Sequence, residues 1–343
     1  MSTVSHNRQE PFPLGTLLNS ESGKTYKVEE ILADRRKPLL CVYRASYASL
    51  SPGPLCQLTP LPSVSTEGKE FIVKDIVKGE FEYQLSIHKT LGNSPRIRTV
   101  IDTIKESDMF IYPFRSTDLL RCAQQPLSAE TRRNILRTAL QGLAEMHDHD
   151  IVHNDIKPNN IVLDHEGLTV SNIQISDLDD TVIVPPGKWL RGPLCGNAMW
   201  RSPESWCRSA QNQASDIFSF AIVTIYVMIN EMVFRVDDEM LAAPDAWRHI
   251  LVRHLSYFGG ETAEGLEGLL NHIGVDNPFF NRFLELANEL GPHNPRHPVE
   301  RWTYLDPELR DLLKNMTNLD PSSRITARGA LEHPWFKGAD LLV

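Results

Sequence analysis

Residues 151–164 read IVHNDIKPNNIVLD. Apolar runs at Ile151-Val152 and Ile161-Val162-Leu163 frame a polar loop, in which Asp155 stands two places before Lys157 and five before Asn160. A carboxylate, an ammonium and an amide therefore share one short turn. Asp and Asn also cap turns with no chemical role, so this loop alone leaves both readings open.

A second stretch separates them. Twenty-two residues after Asp155, VSNIQISDLDD places Asp177 directly behind an apolar strand pattern. Moving a γ-phosphoryl group needs a cation on the nucleotide phosphates, oxygen ligands for a metal, and a carboxylate that orients the attacking hydroxyl. Asp155 suits the hydroxyl, Lys157 the transferring phosphate, and Asn160 and Asp177 offer hard oxygen ligands to Mg²⁺. The ordered pair of motifs weighs against simple turn capping.

From these motifs the chain resembles the eukaryotic protein kinase family, over roughly residues 25–337. IVHNDIKPNN is similar to the catalytic loop His-Arg-Asp-x-Lys-Pro-x-Asn, and Asp177-Leu178-Asp179 stands where Asp-Phe-Gly is expected. Ser202-Pro203-Glu204 resembles Ala-Pro-Glu at the end of the activation segment. SDIFSFAIV resembles the start of the buried central helix, whose Asp216 braces the catalytic loop; LDPSSRITARGALEHPWF resembles the last signature, with Arg324 as partner of Glu204. The resemblance implies structural roles for His153, Glu204, Asp216 and Arg324.

It also implies, from FIVKDI, that Lys74 meets the α- and β-phosphates of ATP. An ion-pair partner is expected from the next helix, where Glu82 fits better than Glu80, though either can be a solvated helix residue. MFIYPFRSTDLL matches the hinge, so Tyr112, Phe114 and Arg115 are expected around adenine; Tyr112 can equally be a core aromatic. Lys157, two past the Asp, is the serine/threonine pattern. The implied activity is Mg-ATP-dependent phosphoryl transfer to Ser or Thr hydroxyls of a protein substrate. The overall run is similar to protein kinase-like chains of filamentous fungi.

The implied fold is α+β and two-lobed. Strand patterns at 25–32, 39–46, 70–76, 98–104 and 108–114, with a helix over 80–91, predict a small five-stranded N-lobe. From about residue 118 the period becomes helical: Ser128 is an N-cap candidate, and Leu136, Leu140, Leu143 and His147 share one face. The boundaries read as a flexible tail at 1–22, an N-lobe at 23–113 with a Ser/Pro-rich insertion at about 46–68, a hinge at 114–117, a C-lobe at 118–338 and a tail at 339–343. Partner surfaces are expected in that insertion and at 241–300.

Composition fits this picture. The 343 residues are 41% hydrophobic and 23% charged, ordinary for a globular chain. A net charge of -9 argues against nucleic acid as main partner. Five cysteines without Cys-x-x-Cys spacing point to reduced thiols and an intracellular setting, cytoplasmic or nuclear. The polar N-terminal start shows no secretory signal pattern. The apolar run at 217–229 is shorter than the about 20 residues a membrane span needs, so a buried helix is expected.

Four departures from the family pattern carry consequences. EILADRRKPLLCVY lacks the glycines of a phosphate loop, which let backbone approach phosphates closely; Arg35, Arg36 and Lys37 offer charge instead, or form a basic exposed turn. Asp179 replaces the glycine after Leu178, and with Asp177 and Asp180 is expected to face solvent rather than recruit further metal. Asn197 stands in place of a Thr that would contact the catalytic Asp and Lys. Asn154 replaces the Arg that pairs with an activation-segment phosphate, and 182–201 contains no Ser, Thr or Tyr. Acceptor and receiver are absent together, which predicts activity not controlled by activation-loop phosphorylation. A pseudokinase acting as a scaffold is the alternative reading. A small-molecule kinase of choline or aminoglycoside type comes third, disfavoured by Ser202–Glu204 and the Arg324 signature.

Overall fold

The computed structural model describes residues 8–48, 68–167, 169–260 and 264–337. By contacts the chain divides into two compact units, one of Met1–Asn93 with Ile97–Arg115, the other of Ser94–Arg96 with Ser116–Val343.

The first unit is an antiparallel sheet with one helix. Its strands are β1 (Leu17–Asn19), β2 (Thr25–Arg36), β3 (Leu39–Tyr47), β4 (Glu70–Asp75), β5 (Asp102–Ile104) and β6 (Met109–Pro113), in the order β1-β2-β3-β4-β6-β5. Side chains alternate faces along a strand. Tyr26, Val28, Cys41, Tyr43, Ala45, Phe71 and Val73 therefore form one buried layer. Ile72, Phe110 and Tyr112 form the other, against Phe81 of α1 (Phe81–Leu91). Lys74, two residues from Ile72, belongs to this second face.

Two expectations change here. The sheet has a sixth strand, because the presumed tail at 1–22 is structured from residue 8: Leu17 pairs with Lys27, Leu18 is buried, and Phe12 N donates to the Tyr43 hydroxyl at 3.0 Å. Burying Leu18 and tying Phe12 to Tyr43 offsets the ordering entropy of this segment. The presumed insertion begins inside β3, which runs to Tyr47; the rest of that reading, 49–67, lies outside the described residues, as does the tail at 339–343.

The second unit opens with β7 (Thr117–Asp118), α2 (Leu119–Cys122) and α3 (Ala129–Asp148). Ser128 caps α3 by accepting from Thr131 N, and Leu136, Leu140 and Leu143 are fully buried on one face. Short strands follow: β8 (Ile151–Val152), β9 (Ile161–Glu166), β10 (Thr169–Ile175) and β11 (Val182–Ile183), with β9 between β7 and β10, and β11 on β8. After α4 (Pro203–Trp206) comes α5 (Gln213–Ile229), buried continuously from Ser215 to Val227. Among the described residues no helix is long and apolar enough to cross a membrane. The remainder is helical: α6 (Asp238–Ala242), α7 (Ala246–Phe258), α8 (Glu264–Ile273), α9 (Phe279–Glu289), α10 (Pro307–Met316), α11 (Ala327–Leu331) and α12 (Pro334–Lys337).

Candidate active site

The opening loop sits between β8 and β9, and both of its apolar flanks are buried strands. Its backbone is braced from α5. Asp216 is 1% exposed and accepts from His153 N at 2.8 Å and Asn154 N at 2.9 Å, while His147 Nε2 lies 3.0 Å from the same carboxylate. Asn154 has φ +66°. Asn tolerates that left-handed region better than most residues.

His153 fixes the loop from within. Asp155 N donates to His153 Nδ1 at 3.2 Å, so Nε2 carries the proton and donates to Ser176 O at 3.0 Å. This ties the loop to the residue before Asp177. Asp177 itself is solvent-exposed with φ +63°. Two non-glycine residues in the left-handed region, both in loops carrying candidate chemistry, are the kind of stored strain found at functional sites.

The Asp155 carboxylate has defined partners on both oxygens. Oδ2 accepts from Lys157 Nζ at 2.5 Å and Asn160 Nδ2 at 3.0 Å, and Oδ1 accepts from Asn197 N at 3.1 Å. Asn160 Nδ2 also donates to Asp155 O at 2.8 Å. With its amide nitrogen so engaged, Asn160 keeps a carbonyl oxygen as its remaining ligand atom. Asn197 contributes its backbone N–H to Asp155, while its side-chain oxygen accepts from Met199 N at 3.0 Å.

Asp180 lies beside this group. Partial burial and the carboxylates of Asp155, Asp177 and Asp179 hold its carboxyl above the ordinary range. Glu204 and Arg324 form a bidentate pair at 2.7 and 3.2 Å with both side chains fully buried, and Ser215 Oγ donates to Glu204 at 2.8 Å. Burial would raise the Glu204 carboxyl, yet Arg324 and these hydrogen bonds hold it below its usual value.

In the first unit Lys74 is half-buried on β4, and its ammonium, after burial, contributes to pushing His88 down to about 3. Glu82 does not share that environment. It is 68% exposed and pairs with Lys105 at 2.6 Å. The buried face of α1 carries Phe81, Gln84, Ile87, His88 and Leu91, and Glu82 is two residues, about 200°, from Gln84. The polar residues on that buried face are Gln84 and His88. The three- to four-residue recurrence from Phe81 to Leu91 was the sequence signal that could have found Gln84.

The hinge-like stretch differs too. Tyr112 is buried, its hydroxyl 3.3 Å from His88 Nε2. The Pro113 carbonyl accepts from Arg98 Nε at 2.8 Å and Nη2 at 2.5 Å. Phe114 packs against the α1-side cluster, and Arg115 Nη1 donates to Phe114 O at 3.0 Å. Where a glycine loop was absent, β2 and β3 pair up to Arg36 and Leu39 across an exposed two-residue turn, Lys37-Pro38. Arg36 there is engaged by Glu10 at 2.5 Å and Asp34 at 2.6 Å.

All the candidate metal ligands are oxygens: the Asp177 carboxylate and the Asn160 carbonyl. That donor chemistry fits Mg²⁺, which prefers one or two carboxylate-type ligands together with phosphate oxygens.

Residues 65–336 match the protein kinase domain family. The chain is similar to the liver/testis phosphorylase b kinase gamma catalytic chain of Rattus norvegicus, at 23% identity over 87% of this chain and 62% of that one. It is likewise similar to the calcium/calmodulin-dependent protein kinase cmkB of Emericella nidulans, 24% over 59% and 39%, and to the serine/threonine-protein kinase PEPKR2 of Arabidopsis thaliana, 24% over 78% and 48%. The chain therefore spans about two fifths to three fifths of these relatives' length.

Proposed function

This chain belongs to the protein kinase family, and from that premise we propose that it transfers the γ-phosphoryl group of ATP to Ser or Thr hydroxyls of a protein. The observation that carries the reading is the Asp155 carboxylate, oriented by Lys157, Asn160 and the Asn197 N–H. Asp155 would orient the acceptor hydroxyl and take up its proton, and Lys157 would balance charge on the transferring group. Asn160 and Asp177 would hold Mg²⁺, which when bound neutralises phosphate oxygens. Lys74 would meet the α- and β-phosphates, with Tyr112, Phe114 and Arg115 around the base. The similarity to the serine/threonine-protein kinase PEPKR2 and Lys157 support the acceptor class.

Activity is proposed not to be controlled by activation-loop phosphorylation. Between Asp177 and Glu204 the hydroxyl residues are Thr181, 2% exposed, and Ser202, 1% exposed. Ser202 moreover caps α4.

A second reading has its own observation. The Pro113 carbonyl is already occupied by Arg98. That favours a nucleotide-independent binding module. Label transfer from γ-labelled Mg-ATP to a mixed protein substrate separates the two. Transfer by the wild type that is lost in Asp155→Asn and Asp177→Ala supports the kinase; neither transfer nor a Mg-ATP thermal shift supports the module.

A further inference from the structure

We propose that Arg201 is the positioning residue that orders the end of the activation segment against Asp155, performing from within the chain what a phosphate does elsewhere; this rests on the phosphotransferase reading above. A guanidinium taken out of water needs a counter-charge or a full set of acceptors. Arg201 is 8% exposed, and among the described residues no carboxylate lies within ion-pair distance of it. Its donors go to backbone carbonyls instead: Nε to Cys195 O at 2.6 Å and Nη2 to Gly196 O. The guanidinium also lies over the Trp206 ring, 4.8 Å from its centre.

These two carbonyls immediately precede the group that touches Asp155. Gly196 has φ +71°, and a Cβ there would stand 2.8 Å from Asn154 O, so the segment backbone reaches the catalytic loop where only glycine fits. The next residue, Asn197, donates its N–H to Asp155. Arg201 closes the same loop through its main chain, with its N–H donating to Asn197 O at 3.0 Å and its carbonyl 3.2 Å from His254 Nε2. A five-residue loop is thus held at both its start and its end by one residue.

The rest of the segment is held by neutral donors. Asn154 Nδ2 donates to Asp180 O at 2.8 Å, Gln213 Nε2 to Val184 O at 3.2 Å and Gln211 Nε2 to Pro193 O at 3.2 Å. The cavity beside Asn154, Cys195 and Arg201 measures about 10 Å³. That is room for about one water and none for a phosphate group.

The test uses the full chain, phosphatase-treated, as wild type, Arg201→Lys and Arg201→Met. Wild-type activity should survive phosphatase unchanged. Arg201→Met should lower kcat by about 100-fold, the scale of a displacement of about 1 Å at the chemistry, while KM for ATP and the Mg-ATP thermal shift are kept. Arg201→Lys should be intermediate, since an ammonium can reach one carbonyl but lacks the planar fork. Hydrogen exchange is read in parallel: amides of 193–201 should be protected in wild type and open in Arg201→Met. Unchanged kcat or unchanged exchange in Arg201→Met overturns the proposal, as does a wild type that needs phosphorylation. If wild type transfers no phosphate, the phosphotransferase reading fails, and the exchange comparison still decides whether Arg201 orders the segment.

Discussion

Replacing His254 with Gln removes an imidazole that is fully buried between two aromatic rings, Phe234 at 4.0 Å and 9° and Phe218 at 5.3 Å and 12°. Its nitrogens lie 3.0 Å from Ile250 O and 3.2 Å from Arg201 O. Burial pushes its pKa from 6.5 down to about 4, against the opposing pull of those carbonyls. Between these two values the unfolded chain binds a proton that the folded chain does not. The stability contributed by neutral His254 is therefore complete above about pH 6.5 and is lost as pH falls toward 4. At roughly 1.4 kcal/mol per pH unit, the loss at about pH 4.5 is on the order of 2 to 3 kcal/mol, and near zero at pH 7. Urea unfolding of wild type and His254→Gln at both pH values and fixed ionic strength measures it. The variant should be less stable at pH 7, because packing and a hydrogen bond to the segment are lost, but the gap should narrow by about 2 to 3 kcal/mol at about pH 4.5. A gap of the same size at the two pH values would refute the argument.

Three further substitutions test the two units separately. The Asp180 carboxyl is held high by partial burial and three neighbouring carboxylates, so the folded state binds more protons there and stability falls as pH rises through its titration. Asp180→Asn should accordingly raise Tm at pH 7 and give no advantage in acid, where wild type is protonated; thermal melts across pH check this. Glu82→Ala should leave the KM for ATP unchanged, because Glu82 is exposed beside Lys105, whereas Gln84→Ala on the buried face should alter it. Steady-state kinetics of the two variants decide between these positions.

Much of the site was legible because short-range chemistry wrote it. Asp155, Lys157 and Asn160 lie within six residues, so a tight loop between two buried strands could hardly keep them apart. Glu204 and Arg324 are 120 residues apart, and only their motifs, not their spacing, suggested the buried pair that forms. Glu82 is exposed beside Lys105 because of helix phase: it lies two residues from Gln84 on the buried face, and two residues along a helix turn a side chain to the opposite side. Strand β1 was missed because a three-residue strand with one buried position carries almost no periodic signal.

The amino-acid sequence by itself determined the spacing of Asp155, Lys157 and Asn160, the order of strands before helices, and the absence of Ser, Thr and Tyr at 182–201. Each is a property of residue type and local spacing. Only the tertiary structure decided what surrounds Arg201. Arg201 carries no signal in the sequence that sets it apart from other arginines. Folding buries it against two carbonyls and a tryptophan ring, because a guanidinium taken out of water is stable only where acceptors from elsewhere in the segment meet it.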